Sequence, residues 1–204
     1  MIINDRYEIL ESLPVYGPMY VSVTDNNEPF YSEGFPIKFF KSDGTSWIAN
    51  FKKGWTRTNM VYSYPERNIV IVIAGGLGYI MSPDKEKPLD TFGLTIKETF
   101  QTDNGSLVCA DGITILHVDN IIGELWRSER ISWDGFKDLN LNGDLISGLS
   151  FDPTNSIKEW ADFSLNLKTR ELIGGSYVEF EKNNTNIPKV DLQSDNKRPW
   201  WKIW

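Results

Sequence analysis

Along most of the chain apolar and polar residues alternate with a period of two, the spacing that turns one face of a β-strand toward a core. Residues 20–23 (Tyr-Val-Ser-Val) predict a strand ended by the turn-rich Asp25-Asn26-Asn27. Residues 36–40 and 47–51 flank Ser42-Asp43-Gly44-Thr45. Asp-Gly between two such runs signals a hairpin, because a type I′ turn needs positive φ at both central residues. Residues 68–74 contain the β-branched run Ile69-Val70-Ile71-Val72-Ile73, which predicts a strand buried on both faces. Strands are predicted next over 93–101, 107–110 and 113–118, with turns at Asp103-Asn104-Gly105 and Asp111-Gly112. Others follow over 131–133, 136–141, 145–151, 163–167 and 171–180. Helical signals are confined to 6–13 and one turn over 156–161, and 119–127 fits either state.

Turn signals return roughly every 8–12 residues, the rhythm of an all-β protein. The expected fold is an antiparallel meander forming a sandwich, an open barrel or a small propeller, with at most one or two short helices. Roughly five four-stranded units of ~40 residues would fit the length, although no motif repeats cleanly. Residues 1–181 read as a single all-β domain. Residues 182–204 read as a polar linker and a basic tail, Lys197-Arg198-Pro199-Trp200-Trp201-Lys202-Ile203-Trp204. A tryptophan-rich end left exposed promotes association, so the tail is expected to dock, first of all on its own acidic domain.

At 204 residues the chain can bury a sizeable core. Lys and Arg number 21 against 28 Asp and Glu, a net charge of −7. An acidic surface repels phosphate backbones, so nucleic acid is not an expected partner; a basic protein is. Aromatic residues reach 13% with eight tryptophans, which suits sheet faces and binding surfaces. Cys109 is the lone cysteine, so no intrachain disulfide is possible. The longest uncharged apolar run, 69–81, is too short to span a membrane. No signal peptide is visible after Met1-Ile2-Ile3, and a cytoplasmic location is expected.

Candidate chemistry is sparse. His117, the lone histidine, lies in a predicted strand with Asp119 on the same face. Two ligands are too few for a metal, and the residue reads as a structural or surface histidine. Cys109 has apolar neighbours and reads as a buried, inert thiol. Gly75-Gly76-Leu77-Gly78 follows a strand as a nucleotide-binding loop would. But Met81 replaces the last glycine and Ser82-Pro83-Asp84 blocks the helix that would hold the phosphate. These glycines read as a bulge or a close backbone contact. Residues 138–144 resemble half a calcium loop, yet Leu149 stands where the bidentate Glu belongs, and a hairpin turn at Asn142-Gly143 reads better. Asp134, Asp152 and Glu159 lie near tryptophans, as glycoside hydrolysis would require, with no separation legible between them. No cofactor and no metal is expected.

Arg130-Ile131-Ser132-Trp133-Asp134-Gly135, Asp152-Pro153-Thr154, Leu167-Lys168-Thr169 and Gly174-Gly175-Ser176-Tyr177 together resemble a family of uncharacterised bacterial proteins. The resemblance covers roughly 68–180. Members of that family look like products found near polymorphic toxins and their immunity proteins. The resemblance implies a bacterial cytoplasmic protein with an immunity role and carries over no catalytic residue. The tail after Phe180 departs from the pattern.

The expected function is a non-enzymatic protein-binding module, an immunity protein that neutralises a cognate toxin. Trp126, Arg127, Trp133, Asp134 and Trp160 are the expected partner-binding residues, because interface hot spots favour Trp and Arg. Core packing is the competing role for each tryptophan. The alternative is a carbohydrate-binding module or glycan-acting enzyme using tryptophan platforms and carboxylates. A scaffold domain with no discrete ligand is the third possibility.

Overall fold

A computed structural model describes residues 6–17, 19–26, 28–120, 124–154, 159–183 and 198–199. The protein is all-β, with one α-helix and one 3-10 turn among the described residues. The chain divides after Ile96 into two compact units, within the stretch 1–181 that the sequence reads as one domain.

In the first unit β1 (Tyr7–Ile9), β2 (Val21–Val23), β3 (Phe35–Phe40) and β4 (Ser46–Phe51) form a sheet in the order β1-β3-β4-β2. Only β2 runs parallel to its neighbour in that sheet. β5 (Met60–Tyr64), β6 (Ile69–Ala74), β7 (Leu77–Met81) and β8 (Asp90–Gly93) form a meander in sequence order. Alternate residues of both sheets meet in one core. Ile37, Phe39, Trp47, Ala49 and Phe51 face Val70, Val72, Tyr79 and Met81. Phe39 stacks on Trp47 with ring centroids 5.1 Å apart, and Phe51 tilts against Tyr79 at 5.0 Å. Each such side chain, fully buried, stabilises the fold by about 1.5–3 kcal/mol. The other face of β6 is closed as well, with Ile69, Ile71 and Ile73 at most 4% exposed. This is the two-sided burial that the β-branched run predicts.

Gly75 and Gly76 make the two-residue turn between β6 and β7, with φ of 55° and 86°. Two positive φ angles are the requirement of a type I′ hairpin. A Cβ on Gly75 would lie 2.7 Å from that of Lys53, so the glycines also permit the close backbone contact expected of them.

The polar side chains of this unit pin its loops. Arg6 donates to Asp84 through Nη2 at 2.6 Å, to the Asn68 side chain at 2.6 Å and to the Phe40 carbonyl at 2.8 Å. Asp84 also accepts from the Ser42 amide and hydroxyl. The Arg6 guanidinium, with these amide and hydroxyl donors, holds the Asp84 carboxyl well below the usual carboxylate range.

In the second unit β9 (Glu98–Gln101), β10 (Leu107–Ala110), β11 (Ile115–Val118) and β12 (Glu124–Arg127) form an antiparallel meander. β13 (Phe136–Asn142), β14 (Leu145–Phe151), β15 (Trp160–Asn166) and β16 (Leu172–Gly174) form another. Helix α1 (Ser176–Asn183) follows. The core between these sheets holds Val108, Ala110, Ile115, Ile131, Ile146, Phe163, Leu165 and Leu167. Arg198–Pro199 adds a short strand, β17, to the edge of β12. The rest of the expected linker and tail, 184–197 and 200–204, lies outside the described residues. The sheets number four among the described residues, three of four strands and one of five, against the roughly five four-stranded units that length allows.

Four sequence expectations are corrected. Residues 6–13 hold strand β1 where a helix is expected, because Tyr7–Ile9 pair with β3 and tertiary pairing outweighs local propensity. The single strand expected over 93–101 is broken into β8 and β9. Gly93 turns the chain at φ 65°, and Ile96 folds back so close that a Cβ there would lie 2.6 Å from its Cδ1. Residues 131–133 form no strand. The strand expected over 171–180 stops at Gly174, and α1 begins at Ser176. Ser176-Tyr177-Val178-Glu179 carries the Ser-x-x-Glu signature of a helix start, which announces that helix. Of the turn expected over 156–161, residues 156–158 lie outside the described residues, and Trp160 and Ala161 open β15.

Replacing Phe39, which is fully buried and contacts two aromatic rings, is expected to destabilise the protein strongly. Phe39→Ala should cost about 3–5 kcal/mol in denaturant unfolding. A cost under about 1 kcal/mol would contradict the placement of this core.

Candidate functional site

The motif segments over 130–135, 151–154 and 174–177 form one junction in the second unit, built by three serines that are at most 1% exposed. The Ser132 hydroxyl donates to the Gly135 carbonyl at 2.6 Å and accepts from the Phe151 amide at 3.0 Å. The Ser150 hydroxyl donates to the Ala161 carbonyl and accepts from the Ser176 amide. The Ser176 hydroxyl donates to the Phe151 carbonyl at 2.6 Å. Buried backbone groups outside a ladder must find partners, and these hydroxyls supply them. Asp152 closes its own turn by accepting from the Thr154 amide and hydroxyl.

Trp133 sits at the side of this junction. Its ring meets Tyr177 and Phe180 of α1 edge-on, with centroids 4.8 and 5.0 Å away. The Arg130 guanidinium lies 4.3 Å from the Tyr177 ring centroid and 5.3 Å from that of Trp133, and donates to the Ser132 and Trp133 carbonyls. Trp133 is therefore a packing residue that docks α1. Its indole N–H is buried without a hydrogen-bond partner among the described residues. Asp134, next to it, is exposed.

The other expected partner-binding residues lie apart from this junction. Trp126, on β12, packs against the core beneath Arg170, whose guanidinium is 5.3 Å from its ring and also pairs with Glu124. Arg127 donates to the Asp111 carboxylate at 2.8 Å and to the Thr114 hydroxyl at 3.0 Å. Asp111 is itself committed to the amides of Ile113 and Thr114. Trp160 opens β15 on the face away from the core. No ring, ion-pair or hydrogen-bond contact joins Trp126, Arg127, Trp133 and Trp160 to one another among the described residues.

Trp160 has neighbours that sequence reasoning passes over. Across the ladder it pairs with Phe151, ring centroids 5.5 Å apart, and Lys137 lies 5.7 Å above its ring. Strand alternation puts Leu145, Ser147, Leu149 and Phe151 of β14 on this same outward face. Asp162, Ser164 and Asn166 of β15 and Ile173 of β16 join them. Ile173 is 64% exposed and Leu145 43%. The outward face is thus an apolar and aromatic strip with amide and hydroxyl side chains beside it. The signal was present: β15 begins at Trp160, three residues before the strand start read from the sequence, and that extension brings Trp160 into the alternation.

The reactive groups sit elsewhere. His117 is buried on β11 opposite Val108 and Trp126. Burial pushes its imidazole below the ordinary value, against the opposing pull of Asp119, Asp144 and Glu124. Cys109 is fully buried, and desolvation drives its thiol far upward, so the thiolate is suppressed. Asp138 occupies a bulge at φ 54°, and Asn140 and Asn142 continue β13 in extended form. The hairpin turn expected beside Asn142 is made by Gly143-Asp144. Among the described residues no three His, Cys, Asp or Glu side chains are placed to hold a metal ion.

No family model and no curated protein matches this chain. A crystal structure of the computationally designed Ika8 protein aligns over 72% of this chain and 48% of that one, at 14% identity and a TM-score of 0.38. The chain spans about half the length of that protein, and a likeness this loose carries no argument.

Two outcomes are expected here. Trp133→Ala should cost about 3 kcal/mol or more on unfolding. Trp133→Phe, which keeps a ring and removes the unpaired N–H, should cost under about 1 kcal/mol. Equal costs would remove the packing role. His117 releases its proton more readily in the folded state, so protonation penalises folding once pH falls below about 6.5. The loss deepens down to the folded pKa. Asp84 behaves alike at lower pH: its stabilisation is present above the ordinary carboxylate pKa and is lost as pH falls below it. Melting curves of wild type and His117→Gln between pH 8 and 5 should diverge toward acid, with the variant flatter.

Proposed function

We propose that this protein is a non-enzymatic protein-binding module, an immunity protein that occupies a cognate toxin in the bacterial cytoplasm. The observation that carries the reading is the outward face of β13–β16. Phe151, Trp160, Leu149, Leu145 and Ile173 lie along it, half-buried or exposed, with Lys137 over the tryptophan. Aromatic and apolar side chains in a ring of polar ones are the composition of an interface centre and its rim. The net charge of −7 favours a basic partner through steering. The two groups most suited to nucleophilic or acid–base work, Cys109 and His117, are enclosed in the β10–β11 ladder. Among the described residues no helix is long and apolar enough to cross a membrane.

Of the five residues first expected at the interface, Trp160 keeps that role in this proposal and Asp134 remains available to it. Trp126, Arg127 and Trp133 make packing and ion-pair contacts within their own unit and are left out of this proposed interface. Co-expression with the product of the neighbouring gene, scored by growth and by co-purification, tests the reading. Wild type should restore growth and form a complex. Trp160→Ala should weaken the complex by about 2 kcal/mol or more, the hot-spot range, with a melting temperature nearly unchanged. Absence of both rescue and complex would sink the proposal.

A carbohydrate-binding role is favoured by one specific feature of the same face. Ser147 and Ser164 stand in the alternation with Trp160 and Phe151, as hydroxyl-binding groups beside a stacking platform do. Saturable binding on a glycan array, abolished by Trp160→Ala and with no protein complex, would select it.

A further inference from the structure

We propose that the two loops flanking β2 form a docking surface for a basic, apolar-studded polypeptide segment of a partner protein. The surface lies in the first unit and is independent of the outward face of β13–β16. The loops run from Leu10 to Tyr20 and from Thr24 to Gly34, eleven residues each between their strands. Connections in compact domains are commonly about half that length, and longer ones concentrate function. One hydrogen bond joins the two loops, from the Leu13 amide to the Glu33 carboxylate at 3.4 Å, and the Ser22 hydroxyl of β2 ties the second loop to its strand by donating to the Phe30 carbonyl at 3.1 Å.

Four large apolar or aromatic side chains on these loops are almost wholly exposed: Val15 at 86%, Tyr16 at 91%, Met19 at 88% and Tyr31 at 87%. Single exposed apolar residues need no explanation, but four on adjoining loops form an adhesive surface. Tyrosine offers rigid contact area with a polar tip, and methionine adapts to the shape it meets.

The charge around them selects the partner. No lysine or arginine occurs from Tyr7 to Ile37, while Glu8, Glu11, Asp25, Glu28 and Glu33 do. Asp25 is paired with Lys52 at 3.3 Å, and Glu8 lies opposite Lys38 in the β1–β3 ladder. Glu11, Glu28 and Glu33 make no ion pair among the described residues. Three uncompensated carboxylates around four exposed apolar groups repel acidic surfaces and attract cationic ones. A segment that alternates lysine or arginine with apolar residues satisfies both features at once.

The test uses the full chain and a labelled twelve-residue peptide alternating lysine and leucine, with a glutamate–leucine peptide and an all-lysine peptide as comparisons. The lysine–leucine peptide should bind saturably, weaken as salt rises, and exceed both comparisons by about tenfold or more. The triple variant Glu11→Gln, Glu28→Gln, Glu33→Gln and, separately, the pair Tyr16→Ser, Tyr31→Ser should each weaken binding about tenfold. Trp160→Ala should leave it unchanged. Hydrogen exchange of the wild-type protein keeps the outcome readable if a variant fails to fold: protection on peptide addition should fall on Leu10–Tyr20 and on residues 28–34. Equal binding of all three peptides, full affinity in both variants, or protection confined to other segments would each overturn the proposal.

Discussion

Backbone polar groups that leave a sheet yet remain buried must be paired, and in both units that pairing falls to buried polar side chains. In the first unit the fully buried Asn50 accepts from the Gly34 amide and donates to the Ser32 carbonyl. The Trp47 indole donates to the Pro83 carbonyl and the Tyr79 hydroxyl to the Lys52 carbonyl. In the second unit Ser132, Ser150 and Ser176 do the same for three segments at once. An unpaired buried group costs about 1–3 kcal/mol, so a few such side chains decide where each loop can run.

The same constraint gives several conspicuous residues contacts within their own unit. Arg127 and Arg130 look like binding residues by type, but each spends its donors on a carboxylate, a hydroxyl or a carbonyl of its own unit. Trp133 anchors α1 through Tyr177 and Phe180. The Gly174-Gly175-Ser176-Tyr177 segment carries no ligand-binding geometry; its glycines bring the chain against Asp162 and Ile131 so that α1 can start. The motif is the lock of the second unit.

On the proposed reading, recognition falls to the part of the surface that packing leaves unused. One portion is the outward face around Trp160, where alternation leaves apolar side chains on the side away from the core. Another is the loop pair around β2, where no ladder constrains the side chains and, among the described residues, no cation pairs with Glu11, Glu28 or Glu33. The two differ in kind. The first lies on four paired strands; the second lies on two long connections.

By itself the sequence determined the fold class and many of the strands. Period two over 145–151 is a local consequence of one-sided burial, and the run Ile69–Ala74 is readable as buried on both sides because it lacks polar positions. The buried setting of Cys109 was legible from its strand-forming, apolar neighbours, whereas His117 fitted a surface position as well as a structural one until its strand partners were seen. Tertiary structure alone decided the break at Gly93–Ile96, where a folded-back isoleucine outweighs a continuous strand pattern, and the strand at Tyr7–Ile9, whose partner is about thirty residues away. It alone separated Trp160 from Trp126 and Trp133. Whether a tryptophan faces the core, a helix or solvent depends on partners distant in the chain, and amino-acid type carries no record of them.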